Sequence, residues 1–431
     1  MTDGIHLQGS FAFLPEMERN IDSLYTAFDT LLATEQFETA LSLAGSLYPY
    51  WETYENLSHG VGWLLKLLGP EAGARFSGVS LARLYAMLGN LLRHQSEYGR
   101  AAIYYELGLA SLKDQPDYRV HTYILGGLGE IAFRQGRYEA ATGLYQSYLE
   151  IGQQAGEDCY VANAFNALGR LATVKGDLSE ALEHHRYGRS LCEHKNYQTG
   201  MAWMFNALGE LERARGKHGN ASKQFQESAA IFKRLGNRGA QMLALQNLAF
   251  AILHEHPSSS EQLLQKTLSF WRRGPARHGM SLSMIGLSRV ELLRGNKKQA
   301  VRQLSGAAKV LRHIGVQLEL GDRVDYEIAL ERVKKEIGSD SPIFEQGETF
   351  DFVDSFSDIS SSRIGLEKTE LTRREIVILQ LAAQGSTDRQ IASQLVISPH
   401  TVNAHLKSIY RKLAVSNRTS AVAIARDRHI L

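Results

Sequence analysis

The chain is 431 residues long, 44% hydrophobic and 22% charged, with a formal net charge of +2; that balance is ordinary for a soluble globular protein, and the length accommodates about two to four domains. Two cysteines, Cys159 and Cys192, are too few for a disulfide framework and lack metal-type spacing. No apolar run approaches the roughly 20 residues of a membrane span, and the N-terminus lacks the basic flank and apolar run of a secretory signal, so the expected compartment is the cytoplasm, with no membrane partner.

Residues 1–36 read as a lead-in followed by an amphipathic helix over Glu16–Thr34, with Ile21, Leu24, Tyr25, Phe28, Leu31 and Leu32 on one face. A repeat follows. Leu88-Gly89 recurs as Leu128-Gly129, Leu168-Gly169 and Leu208-Gly209, then as Leu248-Ala249, at a period of forty residues. Gly136, Gly176 and Gly216 keep the same step, as do Ala101, Ala141, Ala181 and Ala221. An earlier unit carries Pro49 in place of the glycine, and a last one (Ile285-Gly286, Gly295, Ala300) arrives three residues early. Seven units thus span Phe37 to His313. A helix, a glycine turn and a second helix at fixed period describe a solenoid, in which each unit buries its apolar face against its neighbours.

The pattern LG-x-x-x-x-x-x-G-x-x-x-x-A resembles the tetratricopeptide repeat, and its forty-residue spacing resembles the helical-repeat region of MalT-like regulators. The resemblance implies that the concave face carries Tyr123, Gly126, Glu130 and Phe133, then Asn163, Asn166, Arg170 and Thr173. Trp203, Asn206, Glu210 and Arg213 follow, then Leu243 and Gln246. Of these, Tyr123, Asn163, Asn166, Arg170, Trp203, Asn206, Glu210 and Gln246 are the expected groove ligands. Asn166, Asn206 and Gln246 would stack three amides able to hold an extended peptide backbone; an empty groove with solvated or interhelical amides is the blander alternative. Gln317–Ile337 reads as a charged helix capping the solenoid, closing a repeat domain at residues 37–337.

Residues 338–365 read as an acidic linker. Between Ser339 and Ser362 lie six acids, no Lys or Arg, and four interleaved phenylalanines, a composition that buries too little to fold alone. The linker's carboxylates could also lie on the basic face of the domain that follows. Residues 366–431 hold ten Lys/Arg against five Asp/Glu, whereas the rest of the chain holds 38 against 41. Basicity is concentrated where a polyanion would bind by counterion release.

That last segment reads as short capped helices. Thr372 with Glu375 forms a capping box, Gly385 ends the first helix, and Thr387 with Gln390 opens the next. Ser398 caps a third helix with Pro399 in its first turn, and Val402, Leu406, Ile409 and Leu413 form its inward stripe. His400, Asn403, Ala404, Lys407 and Arg411 then face outward. Two helices joined by the tight turn Val396-Ile397-Ser398 are the helix-turn-helix plan, whose second helix enters the major groove.

The order LTxRE, IAxxL, IS-x-x-TV-x-x-H, KL-x-V-x-x-R resembles the LuxR-type DNA-binding domain. That resemblance implies base contacts from Asn403, Ala404 and Lys407. Family members often carry Lys where this chain has Asn403, and Asn suits adenine where Lys suits guanine. It further implies backbone contacts from Thr387, Thr401, His405, Arg411 and Arg418; His405 is read equally well as a packed helix histidine. The run Ala421–Ala425 suits either a dimer contact or packing on its own domain.

The sequence has no G-x-x-x-x-G-K-[ST] cradle, no receiver pocket, no His spacing suited to zinc and no nucleophile elbow. No cofactor, metal or catalytic residue is expected. The reading is an all-α protein, a tetratricopeptide-like α-solenoid followed by a small C-terminal helix-turn-helix domain. Its expected function is that of a bacterial transcription regulator, nucleoid-associated when DNA-bound. A peptide, protein or small-molecule effector would occupy the groove, and a homodimer would bind double-stranded DNA. The rival is an interaction scaffold whose DNA contact is incidental.

Overall fold

A computed structural model describes residues 14–52, 56–69, 72–112, 117–337, 371, 373–383, 386–395, 399–413, 415 and 417–427; the expected linker, the turn 396–398 and Gly385 lie outside them. The described residues form helices and turns. Helix α1 (Leu14–Ala33) precedes seven helical pairs: α2 (Phe37–Glu52) with α3 (Leu57–Leu68); then, after the single turn α4 (Ala72–Arg75), α5 (Gly78–His94) with α6 (Tyr98–Ser111); α7 (Tyr118–Arg134) with α8 (Tyr138–Gln154); α9 (Asp158–Lys175) with α10 (Leu178–His194). The series continues through α11 (Gln198–Ala214) with α12 (His218–Leu235), α13 (Arg238–Ile252) with α14 (Pro257–Arg272), and α15 (Arg277–Leu293) with α16 (Lys297–Ile314). Each first helix packs on its own second helix and on the first helices beside it.

The recurring glycine has a steric cause. An aromatic ring sixteen residues further on, from the paired helix, lies flat on it: Tyr105 on Gly89, Tyr145 on Gly129, His185 on Gly169 and Phe225 on Gly209. A Cβ at these four glycines would sit 2.9, 2.3, 2.5 and 2.6 Å from the ring, closer than packed carbons approach. Where the pattern weakens to Ala249, the sixteenth residue on is the exposed Gln265, so a methyl fits.

The solenoid curls until its seventh unit meets its second and third. The His278 backbone N–H at the start of α15 donates to Ser96 Oγ at 3.3 Å, and the Arg134 guanidinium donates to His278 Nδ1 at 3.0 Å. Helix α17 (Leu320–Ile337), expected as a cap, packs on α15 and α16 of the last unit and also reaches inward to α11. Gly315 takes the left-handed conformation (φ 66°) that redirects the chain, and Gln317 N–H donates to the Arg134 carbonyl at 2.6 Å. The protein's own chain therefore covers the part of the concave face that carries Arg134, Arg170, Arg213 and Arg289.

Helices α18 (Arg373–Ala383), α19 (Asp388–Leu395), α20 (Pro399–Lys412) and α21 (Arg418–Asp427) form the C-terminal domain. Helix α18 packs on its three partners and also on α6 of the solenoid. Accordingly α6 buries Ala102, Ile103, Tyr104 and Leu107, whereas one unit on Thr142, Gly143, Leu144 and Ser147 of α8 are half-buried or exposed. Among the described residues no helix is long and apolar enough to cross a membrane.

Candidate nucleic-acid interface and effector groove

Helix α20 is held by its apolar stripe: Val402, Leu406, Ile409 and Leu413 are buried, as their spacing predicts. The opposite side presents Asn403, Lys407 and Arg411 to solvent, with His405 half-buried. The side chains of Ala404 and Thr401 lie outside the described residues. Thr387 and Gln390 form the expected reciprocal cap: Thr387 N–H donates to Gln390 Oε1 at 2.7 Å and Gln390 N–H to Thr387 Oγ1 at 3.3 Å. This fixes the N-terminus of α19 beside α20.

Two ion pairs set the mutual angles of these helices. Lys412 donates to the buried Glu375 of α18 at 2.6 Å. Arg418, expected on a DNA phosphate, donates to Asp388 Oδ1 at 2.9 Å and to the Ser386 carbonyl. It ties α21 to the start of α19, and a guanidinium so engaged positions the domain from within. Ala421 and Ala425 are buried, and α21 packs on α18 and α20 of its own domain.

In the groove the expected amide ladder is not aligned. Gln246 is fully buried and bridges α13 to α15, donating to the Gly279 carbonyl at 2.7 Å and to Ser283 Oγ at 2.6 Å. Asn206, also buried, donates to Glu210 at 2.9 Å. Asn166 is half-buried, with its Oδ1 lacking a hydrogen-bond partner among the described residues. Gln246 and Asn206 are taken up by the first helix of the next unit and Asn166 is not, so the three do not share one open face. Asn163 donates to Tyr197 at 3.2 Å, Trp203 packs edge-on to Phe232, and Tyr123 pairs with the Tyr48 hydroxyl at 2.8 Å.

Charge occupies the groove instead. Arg170 donates to Glu130 and to Glu319, each at 2.8 Å, over the Phe133 ring. Arg213 donates to Asp322 at 2.6 Å and Asp325 at 3.3 Å, and Arg289 also pairs with Asp325. Burial by itself raises the Glu130 carboxyl, but Arg170 and Arg134 outweigh it and hold the group well below the usual carboxylate range. Burial and then the Glu319 charge raise the Glu210 carboxyl well above that range.

Register placed Glu130, Arg170, Glu210 and Arg213 on this face. Arg134, Arg289 and the acids of residues 319–325 escaped it, because Arg170 and Arg213 lie more than a hundred residues from Glu319 and Asp322, and an acidic helix of this length reads as solvated.

Comparison with known proteins agrees with this architecture. Residues 369–425 match the model for bacterial regulatory proteins of the luxR family, and residues 121–193 match the tetratricopeptide repeat. Over 64 residues the chain is 42% identical to the transcriptional regulatory protein YdfI of Bacillus subtilis (strain 168), covering 15% of this chain and 30% of YdfI. Over 71 residues it is 39% identical to the transcriptional regulatory protein LiaR of the same organism, covering 16% and 34%. The chain thus spans about a third of the length of these relatives. The solenoid superposes on a Rap protein crystallised with Competence and Sporulation Factor (TM-score 0.51, 13% identity, 75% of this chain and 97% of that one), a likeness of fold. The protein is a tetratricopeptide-type helical solenoid carrying a C-terminal DNA-binding domain of the luxR family.

Proposed function

We propose that the protein is a sequence-specific DNA-binding transcription regulator whose solenoid receives an effector and controls the C-terminal domain. The observation that carries this reading is α20, locked from behind by its apolar stripe and by Lys412–Glu375, with Asn403, Lys407 and Arg411 free at its outer side. A helix so presented suits the major groove, with Asn403 and Lys407 reading base edges and Arg411 on phosphate. One such domain offers few base contacts, so a homodimer on an inverted repeat is the expected DNA-bound form.

Two contacts support control by the solenoid: α18 rests on α6, and α17 packs on α11, α15 and α16 just ahead of the stretch that leads to α18. An effector that binds one arrangement better than another shifts the population between them. The Rap protein of similar fold holds Competence and Sporulation Factor, and a peptide is the effector class favoured for this groove.

The test is selection from a random duplex pool by the full chain at two salt concentrations, in parallel with the isolated segment 366–431. Enrichment of a palindromic site by either supports the reading. Recovery of only salt-sensitive, sequence-blind binding contradicts it and favours the scaffold.

A further inference from the structure

Four arginines of the solenoid, Arg134, Arg170, Arg213 and Arg289, converge on the concave face from four different first helices. Each keeps a charge away from bulk water, and the Arg213 and Arg289 side chains are 4% and 6% exposed. A buried guanidinium demands a carboxylate, and the solenoid itself does not provide enough of them. The missing acids come from a single short stretch. Glu319, Asp322 and Asp325 recur every third residue and engage Arg170, Arg213 and Arg289 in turn.

The backbone of that stretch is recognised as well. Gln317 N–H donates to the Arg134 carbonyl, and Gly321 lies so close to Arg213 that a Cβ would sit 2.6 Å from its Nε. The fit is incomplete. Arg213 Nε lacks a hydrogen-bond partner among the described residues, and a cavity of about 10 Å³, the size of one water, lies between Arg213, Arg170, Glu210 and Gly321. The site grips a peptide main chain and a row of carboxylates, and its present occupant leaves a donor unused.

We infer that this arginine row is a binding site for an acidic peptide, and that residues 317–325 are a tethered stand-in that the peptide displaces. The inference rests on the proposed regulation only in naming that peptide an effector. Buried charge-assisted bonds make the two occupants mutually exclusive, since either set of carboxylates satisfies the arginines and neither tolerates the other. Displacement removes α17, the last solenoid element before the chain runs to α18.

A tethered occupant competes at an effective concentration in the millimolar range. The intact protein therefore binds a free copy weakly, and weakening the tethered copy exposes the site. The probe is a fluorescent synthetic peptide of residues 316–329, titrated by anisotropy against the full chain and against Glu319→Gln/Asp322→Asn/Asp325→Asn. The variant should bind the peptide on the order of a hundredfold more tightly than wild type, and a peptide with the same three acids amidated should not bind. Equal binding by variant and wild type, or equal binding of acidic and amidated peptides, overturns the proposal.

Should the triple variant lose its helical circular dichroism, Gly321→Ala serves instead. It keeps every charge but sets a methyl against the Arg213 guanidinium, loosening the contact between Arg213 and residues 321–322, and it should also gain affinity for the acidic peptide. A Gly321→Ala chain that binds no better than wild type overturns the proposal equally. None of these readouts involves DNA. Failure of the duplex selection with peptide binding intact removes the regulator and leaves the site, and the converse removes only the site.

Discussion

Arg213 of α11 donates to Asp322 of α17 at 2.6 Å across 109 residues of chain, with both side chains almost wholly buried. Removing Asp322 leaves the buried Arg213 only its longer bond to Asp325, at 3.3 Å. Asp322→Ala should lower the unfolding free energy by about 3 kcal/mol, seen as a lower thermal midpoint. Replacing both partners by apolar residues of similar volume, as in Arg213→Met/Asp322→Leu, should recover most of that loss. Equal destabilisation in the single and double variants would show that the pair's charge is not what matters.

Gly209 lies beneath the Phe225 ring, where a Cβ would sit 2.6 Å away. Gly209→Ala should cost about 1–3 kcal/mol by overpacking, and adding Phe225→Leu should restore part of it. Circular dichroism melts of the three variants check this. The reverse substitution Ala249→Gly, where no ring presses down, should cost only about 1 kcal/mol, through backbone entropy.

His185 stands where the other units place Tyr105, Tyr145 and Phe225, and both its ring nitrogens are buried without hydrogen-bond partners among the described residues. Burial first, and then the charge of Arg170, lowers its imidazole from 6.5 to about 3. Between those values the unfolded chain takes up a proton that the folded chain refuses. This contribution is therefore neutral above 6.5 and becomes destabilising as the pH falls through 6.5 toward 3, by about 1.4 kcal/mol for each pH unit. Glu52 acts oppositely: burial raises it to about 7, so the stability it adds is complete below its ordinary 4.5 and lost as the pH rises through 7. His185→Phe should raise the thermal midpoint, and raise it more at pH 5 than at pH 7. A variant whose gain is the same at both values contradicts the assignment.

Helix α6 is buried on the face that its counterpart α8 leaves half-open, and α18 is the element that packs there. Ile103→Asp should release the C-terminal domain. With a protease site placed between residues 339 and 362, the cleaved wild-type fragments should co-elute on gel filtration and those of the variant should separate. Separation of the wild-type fragments would count against the docking.

The repeats were legible because the same packing solution recurs at a fixed step: a Leu-Gly pair, a turn glycine and a small residue opening the second helix. The C-terminal domain was legible for a local reason, since the Thr387–Gln390 cap and the Val402–Leu413 stripe lie within one or two helices. What escaped depends on closure. Nothing near residue 319 says that Arg170 will lie beside it, and Arg289 follows the three-residue slip of the last unit, which broke the register. Nor does anything near Arg418 say that Asp388, thirty residues upstream, will pair with it. Gln246 kept the forty-residue step, yet it is buried against Gly279 of the next unit, which the register does not mark.

The most direct measurement is equilibrium binding of the full chain, wild type and Lys407→Ala, to the selected duplex and to a scrambled duplex across a salt series. Lys407→Ala should weaken binding to the selected duplex by about 1–3 kcal/mol, while binding to the scrambled duplex falls far less. An equal loss on both duplexes would reduce Lys407 to a phosphate contact, and no loss on either would contradict the placement of α20 in the major groove.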